Sequence, residues 1–220
     1  RASFEAVNIS LPTMLYITFG TWSVEVFADR ILARDWLPFI GLYIACCTAI
    51  SIGMTLIVIG IKWATMGRYE PQIKPMWSFW AMRTEAVAVL YWGLAGRVFL
   101  DHLRGTPFLP WALRLFGSKF GKGVWMDATD ITEFDCVKVG DHAAVNMMCV
   151  LQTHLYEDRV MKIGRIDVGR GVTIGAGTTV LYDTHCGEFS RLGPLTVLMK
   201  GESLPAHSEW VGAPAEPKAA

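Results

Sequence analysis

The sequence predicts a mixed fold: two transmembrane α-helices, an aromatic helical connector and a cytoplasmic parallel β-helix. Three observations predict it. Leu37–Ile61 holds no charged side chain. From Val168 to Trp210 every sixth residue is an interior type: Val168, Ile174, Val180, Cys186, Leu192, Leu198, Leu204 and Trp210. Between Leu151 and Val168 that period breaks. A sixfold period suits neither the 3.6 of a helix nor the 2.0 of a strand, but it fits a solenoid with one hexapeptide per side of a triangular coil.

The membrane elements come first. Twenty-five charge-free residues, as a helix, span roughly 37 Å, against about 30 Å of hydrocarbon. Upstream, Val7–Ala28 is apolar with Pro12 and a single charge, Glu25. Glu25 is either a functional intramembrane acid or a headgroup-level residue beside Asp29 and Arg30. Asp29–Trp36 joins the two spans into a hairpin over residues 1–66. Lys62, Arg68, Lys74 and Arg83 follow it against Glu70 and Glu85, which puts the downstream chain on the cytoplasmic side. The apolar segment is too long for a signal peptide. The chain opens at Arg1 without a Met and reads as a piece of a longer polypeptide.

Residues 67–117 form the connector. Trp77–Leu103 reads as a helix, lying along the membrane surface, packed on the β-helix, or both; Gly105-Thr106-Pro107 ends it. Pro107–Phe116 reads as a short amphipathic helix capping the solenoid, whose open end would expose core and strand edges. The β-helix occupies 118–215, with an irregular first coil and a clean register from Val139, Val145 and Leu151; residues 216–220 are a tail. Small or β-branched residues stand two places before the interior ones: Val172, Thr178, Thr184, Ser190 and Thr196. Glu202 departs from that pattern and predicts a loosened final turn. Cys149 and Cys186 fall at packing positions, and the five cysteines have no metal or disulfide spacing, so no metal is expected. Equal numbers of basic and acidic residues, 20 each, with no basic run, argue against nucleic acid as a partner.

The excursion 152–167 concentrates chemistry: Gln152-Thr153-His154-Leu155-Tyr156-Glu157-Asp158-Arg159-Val160-Met161-Lys162. The imidazole of His154 is a candidate general base. A carboxylate behind it would fix its tautomer; Glu157 and Asp158 are nearest in sequence, though the fold can supply another. Arg159 and Lys162 suit a phosphate or carboxylate, and Tyr156 is a further substrate-binding candidate. The alternative is a solvated polar loop. His142 and His185 point outward at corners and are weaker substrate-contact candidates.

The hexads, a loop opening with Thr153-His154 and the closing Trp210-Val211-Gly212-Ala213-Pro214-Ala215 together resemble hexapeptide-repeat acyltransferases. The resemblance implies a left-handed β-helix, His154 as the base that deprotonates the acceptor, and an acyl thioester in a groove between neighbouring β-helices. The membrane hairpin, the connector with Gly105-Thr106-Pro107-Phe108-Leu109, and Gln152-Thr153-His154 with Glu157–Lys162 further resemble a terminal repeat of membrane-bound non-ribosomal peptide synthetases of the ε-poly-L-lysine synthetase kind.

That narrower resemblance implies amide (isopeptide) bond formation between an aminoacyl thioester and the amine of an amino acid or growing chain. The donor would ride on phosphopantetheine of a carrier domain, with ATP used only at an upstream adenylation domain. Partners implied are the carrier, sister β-helix repeats in a trimer-like assembly, and membrane lipid. The implied location is the bacterial inner (cytoplasmic) membrane, with the β-helix on the cytoplasmic side. Two alternatives stand beside it: a membrane-bound acyl-coenzyme A acyltransferase acting on a small acceptor, and a non-catalytic scaffold repeat.

Overall fold

The computed structural model describes Thr21 and residues 36–218. The first expected span, Val7–Ala28, lies outside the described residues apart from Thr21, which is helical. The second appears as one helix, Trp36–Thr65. Its segment Ile40–Thr65, with mean hydropathy 2.4, is the one described helix long and apolar enough to cross a membrane by length and composition. Leu42, Ile44, Leu56 and Ile57 are exposed along it.

The chain divides into two compact units, one of residues up to Ile61 with Ala86–His102, the other of Lys62–Glu85 with Leu103–Ala220. The long connector helix expected over Trp77–Leu103 is broken. An α-helix covers Phe79–Leu90, a π-helix Tyr91–Gly96, and a 3-10 turn Leu100–Leu103. The disruption coincides with Gly93 and Gly96, residues with little helix propensity. The capping helix is present at Phe108–Phe116, burying Leu109, Leu113 and Phe116. It ends at Gly117, whose φ of 118° is costly for any side-chain-bearing residue.

The β-helix has three parallel faces, visited in turn by each coil. One face stacks Lys119–Phe120, Val137–Val139, Ile166–Val168, Thr184–Cys186 and Ser203–Leu204. The second stacks Trp125–Met126, Ala144–Val145, Thr173–Ile174, Arg191–Leu192 and Glu209–Val211. The third stacks Asp130–Ile131, Val150–Gln152, Thr179–Leu181 and Val197–Leu198. In the regular coils a residue pairs with the one eighteen positions on, as Ile174 with Leu192, so three hexads close one coil.

Val168, Ile174, Val180, Cys186, Leu192, Leu198 and Leu204 are all buried, as are the small residues two places before them from Val172 to Thr196. Each buried aliphatic side chain contributes about 1.5–3 kcal/mol relative to exposure. Burial pushes the Cys186 thiol up to about 12, in keeping with an inert packing residue. Trp210 is half-buried on the strand Glu209–Val211, beyond which Glu216–Pro217, expected as a tail, pairs antiparallel; its indole N–H donates to Ser208 Oγ at 2.8 Å. The turn at Glu202 is not loosened: the carboxylate accepts the Met199 N–H at 2.9 Å, and Ser203–Leu204 keeps its parallel register.

The excursion is a β-hairpin rather than an irregular loop. His154–Glu157 pairs antiparallel with Val160–Ile163, and Gln72–Pro75 adds a third strand beyond it. Asp158 and Arg159 form the two-residue turn with φ of 51° and 63°, the paired positive angles of a type I′ hairpin.

Candidate active site

The hairpin leaves the coil at the corner between the third face and the first. That corner is also where the first coil departs from the repeat. From Ile131 to Val139 the chain takes eight residues where Val180 to Cys186 takes six, and the surplus forms a 3-10 turn, Phe134–Cys136, preceded by Glu133. The two irregularities lie in successive coils, since Ile131 pairs with Leu151 and Val139 with Val168. Glu133 and His154 meet there.

The Glu133 side chain is 1% exposed and that of His154 10%. Glu133 Oε2 accepts three hydrogen bonds: from His154 Nδ1 at 2.8 Å, Thr153 Oγ1 at 2.6 Å and Thr132 Oγ1 at 2.8 Å. Thr153 Oγ1 also accepts the backbone N–H of Glu133 at 3.1 Å, clasping the two coils together. Burial raises the Glu133 pKa, but the hydrogen bond and charge of His154 and the threonine hydroxyls outweigh it and hold the carboxyl below its ordinary value. An ionised Glu133 accepts only, so the proton on Nδ1 belongs to histidine and the lone pair of neutral His154 stands on Nε2. Burial lowers the His154 pKa, yet Glu133, aided by the charge of Glu85, more than offsets it, and the net shift is upward.

On its other side the ring faces Glu85, from the helix Phe79–Leu90, with Nε2 4.0 Å from Oε1. Tyr156 donates its hydroxyl to that same Oε1 at 2.6 Å. The His154 and Tyr156 rings meet edge to face, centroids 5.4 Å apart. Residues two apart on a strand share a face, so this proximity follows from the hairpin itself.

The same alternation removes Glu157 from the ring. Three residues along the strand from His154, it points to the opposite face, where Lys200 Nζ lies 2.6 Å and Lys162 Nζ 3.2 Å from Oε2. Lys200, then Lys162, hold its carboxyl below the usual range. Asp158 occupies the exposed turn and pairs with Lys162 at 3.0 Å. The carboxylate at Nδ1 is thus Glu133, not Glu157 or Asp158. Arg159 is exposed in the turn, its carbonyl accepting the Met76 N–H at 3.0 Å. Lys162 is committed to Glu157 and Asp158 on the face away from the imidazole. His142 is exposed at a coil corner with φ 56°. His185 is exposed, with Nδ1 3.8 Å from Asp167 Oδ2. Neither joins the His154 cluster.

Beside Glu133, Asp135 faces a second buried group. Lys62 Nζ lies 2.6 Å from Asp135 Oδ2, with the two side chains 0% and 4% exposed, and the Tyr69 N–H donates to the same oxygen at 3.1 Å. The two carboxylates flanking Phe134 therefore hold different elements. Among the described residues no group of His, Cys, Asp and Glu side chains is arranged to hold a metal ion.

No family model matches the chain. Among solved structures it is similar to a hexapeptide-repeat acetyltransferase from Vibrio cholerae, at 13% identity and TM-score 0.42 over 80% of this chain and 92% of that one. It is also similar to the serine acetyltransferase of Brucella abortus, at 18% identity and TM-score 0.38 over 76% and 68%. Over 219 residues, 99% of its length, the chain is 42% identical to a delta-poly-L-ornithine synthetase of Acinetobacter baumannii (strain AB307-0294), of which it spans 16%.

Proposed function

We propose that this chain is the acyl-transfer portion of a poly-amino-acid synthetase, forming amide bonds between an aminoacyl thioester and an amine. The observation that carries the proposal is the buried Glu133–His154 pair, which leaves Nε2 as the basic nitrogen at the outer side of the ring. The 42% identity to a poly-ornithine synthetase supports the same reading. An acceptor ammonium has no lone pair to attack with; a neutral Nε2 supplies the base that frees it. Glu133 then stabilises the imidazolium formed.

In this reading the donor is the thioester of phosphopantetheine on a carrier domain of the same synthetase. ATP is consumed upstream where the amino acid is adenylated. Sister β-helix repeats border the donor groove, and the apolar helix Ile40–Thr65 anchors the assembly in the inner membrane with the β-helix on its cytoplasmic face.

The test compares wild type with His154→Ala in the full-length, detergent-solubilised protein supplied with ATP and amino acid. Loss of polymer with undiminished thioester loading is expected. Polymer output equal to wild type would refute the assignment.

A further inference from the structure

Among the described residues two carboxylates stand beside the His154 ring, and the dyad uses Glu133. With the Nδ1 proton directed at Glu133, the lone pair of neutral His154 is on Nε2, which lies 4.0 Å from Glu85 Oε1. A lone pair and a carboxylate oxygen are both acceptors, and a cation carrying two N–H bonds can donate to both at once. Glu85 is no stray surface acid. The Tyr156 hydroxyl donates to its Oε1, and the Glu85 side chain is 31% exposed where that of His154 is 10% exposed.

We propose that Glu85 and His154 Nε2 form the subsite for the acceptor's reacting ammonium group, with Tyr156 as the residue that positions Glu85. The proposal rests on the acyl-transfer reading above and names the substrate class it takes: a primary amine that arrives protonated. A nitrogen about 2.8 Å from both acceptors, themselves 4.0 Å apart, sees them at an angle of roughly 90°, near the spread of two N–H bonds on one ammonium. A hydroxyl has one hydrogen and satisfies only one of the two acceptors. The subsite therefore selects an ammonium over an alcohol, and the negative charge of Glu85 draws a cationic acceptor to the base that must deprotonate it.

The protons balance. The ammonium gives one proton to Nε2, which passes it to solvent, and the freed amine attacks the thioester carbonyl carbon. As the C–N bond forms, the nitrogen loses a second proton to Nε2. When the C–S bond breaks, the imidazolium returns that proton to the departing thiolate. One ammonium and one thioester give one amide, one thiol and one proton.

The experiment uses the full-length protein with its carrier loaded, L-ornithine as the acceptor probe, and the variants Glu85→Gln, Tyr156→Phe and His154→Ala. Glu85→Gln keeps the shape and a hydrogen bond to Tyr156 but loses the charge. It should raise KM for the acceptor tenfold or more, with a much smaller change in kcat, and Tyr156→Phe should raise KM less. A second readout needs no turnover: n-butylammonium chloride should perturb the 13C resonance of His154 Cε1 in wild type, n-butanol should not, and Glu85→Gln should abolish the perturbation. An unchanged KM in Glu85→Gln beside an inactive His154→Ala overturns the subsite and leaves the acyl-transfer reading standing. An active His154→Ala overturns that reading instead. No response to butylammonium in wild type overturns the subsite whatever the kinetics.

Discussion

Replacing Glu133 by Gln tests the dyad at its most buried point. The substitution keeps the side-chain shape and removes the charge that receives three hydrogen bonds at Oε2. His154 Nδ1 lies 2.8 Å from that charge, and on the proposed reading the imidazolium formed during acyl transfer faces it. A hydrogen bond to a charged partner contributes about 1.5–3 kcal/mol, so the maximal rate of amide formation should fall roughly tenfold to 150-fold. The pH profile should shift as well. If His154 serves as the proposed base, it does so in its neutral form, so the rate should fall as pH drops through its pKa, which lies above the ordinary 6.5. Among the described residues, the ionisable groups facing the ring are Glu133, Glu85 and Tyr156. Without the Glu133 charge, burial opposes only Glu85, and the acid limb should move to lower pH even as the plateau falls. Single-turnover reactions with preloaded carrier across pH 5.5–9 separate this step from adenylation. A plateau within about twofold of wild type, or an acid limb that stays in place, would refute the reasoning.

Two further predictions follow from the neighbouring ion pairs. Lys62→Met leaves Asp135 buried without its partner and should destabilise the protein by about 3–5 kcal/mol, measured as a fall in thermal midpoint in detergent, while Lys62→Met with Asp135→Leu recovers most of the loss. Glu157→Gln, whose carboxylate pairs with Lys200 and Lys162 on the face away from the imidazole, should change the polymerisation rate by less than about twofold; a hundredfold loss would return Glu157 to the chemistry.

The β-helix was legible because its signal is periodic and each interior position stands directly above the next. Ile174, Val180 and Leu198 could be assigned from spacing alone. Thr153-His154 stood out because the excursion broke that spacing. The hairpin inside it did not, since Asp158-Arg159 lacks the Asn-Gly or Asp-Gly pair that marks a type I′ turn. Without the strand alternation, Glu157 looked like the carboxylate nearest the imidazole, when alternation sends it to the other face. Glu133 is twenty-one residues from His154 in sequence, close to one coil, and only the stacking register brings them together. Glu85 is seventy-one residues from Tyr156, and its sequence signal was that it is the one acid in the apolar helix FWAMRTEAVAVL.

The two departures from the repeat belong to one device. A solenoid coil of eighteen residues spends its interior positions on packing and its corners on turning. A buried polar pair needs residues the repeat does not provide. Here they enter at the same corner in successive coils: the lengthened turn after Ile131 brings Glu133, and the hairpin after Gln152 brings His154, with Thr153 clasping one to the other. In the two later coils that corner, at Tyr182 and Lys200, returns to near-regular length, and its side chains reach Glu157 at the base of the hairpin turn. The corner therefore supplies the dyad from its first two coils and support for the hairpin from its next two. An insertion in either of the first two coils alone would leave a buried carboxylate without its cation, or an imidazole without its tautomer fixed, each costly in the interior. The irregular first coil, which breaks the hexad pattern, is on this account half of the site.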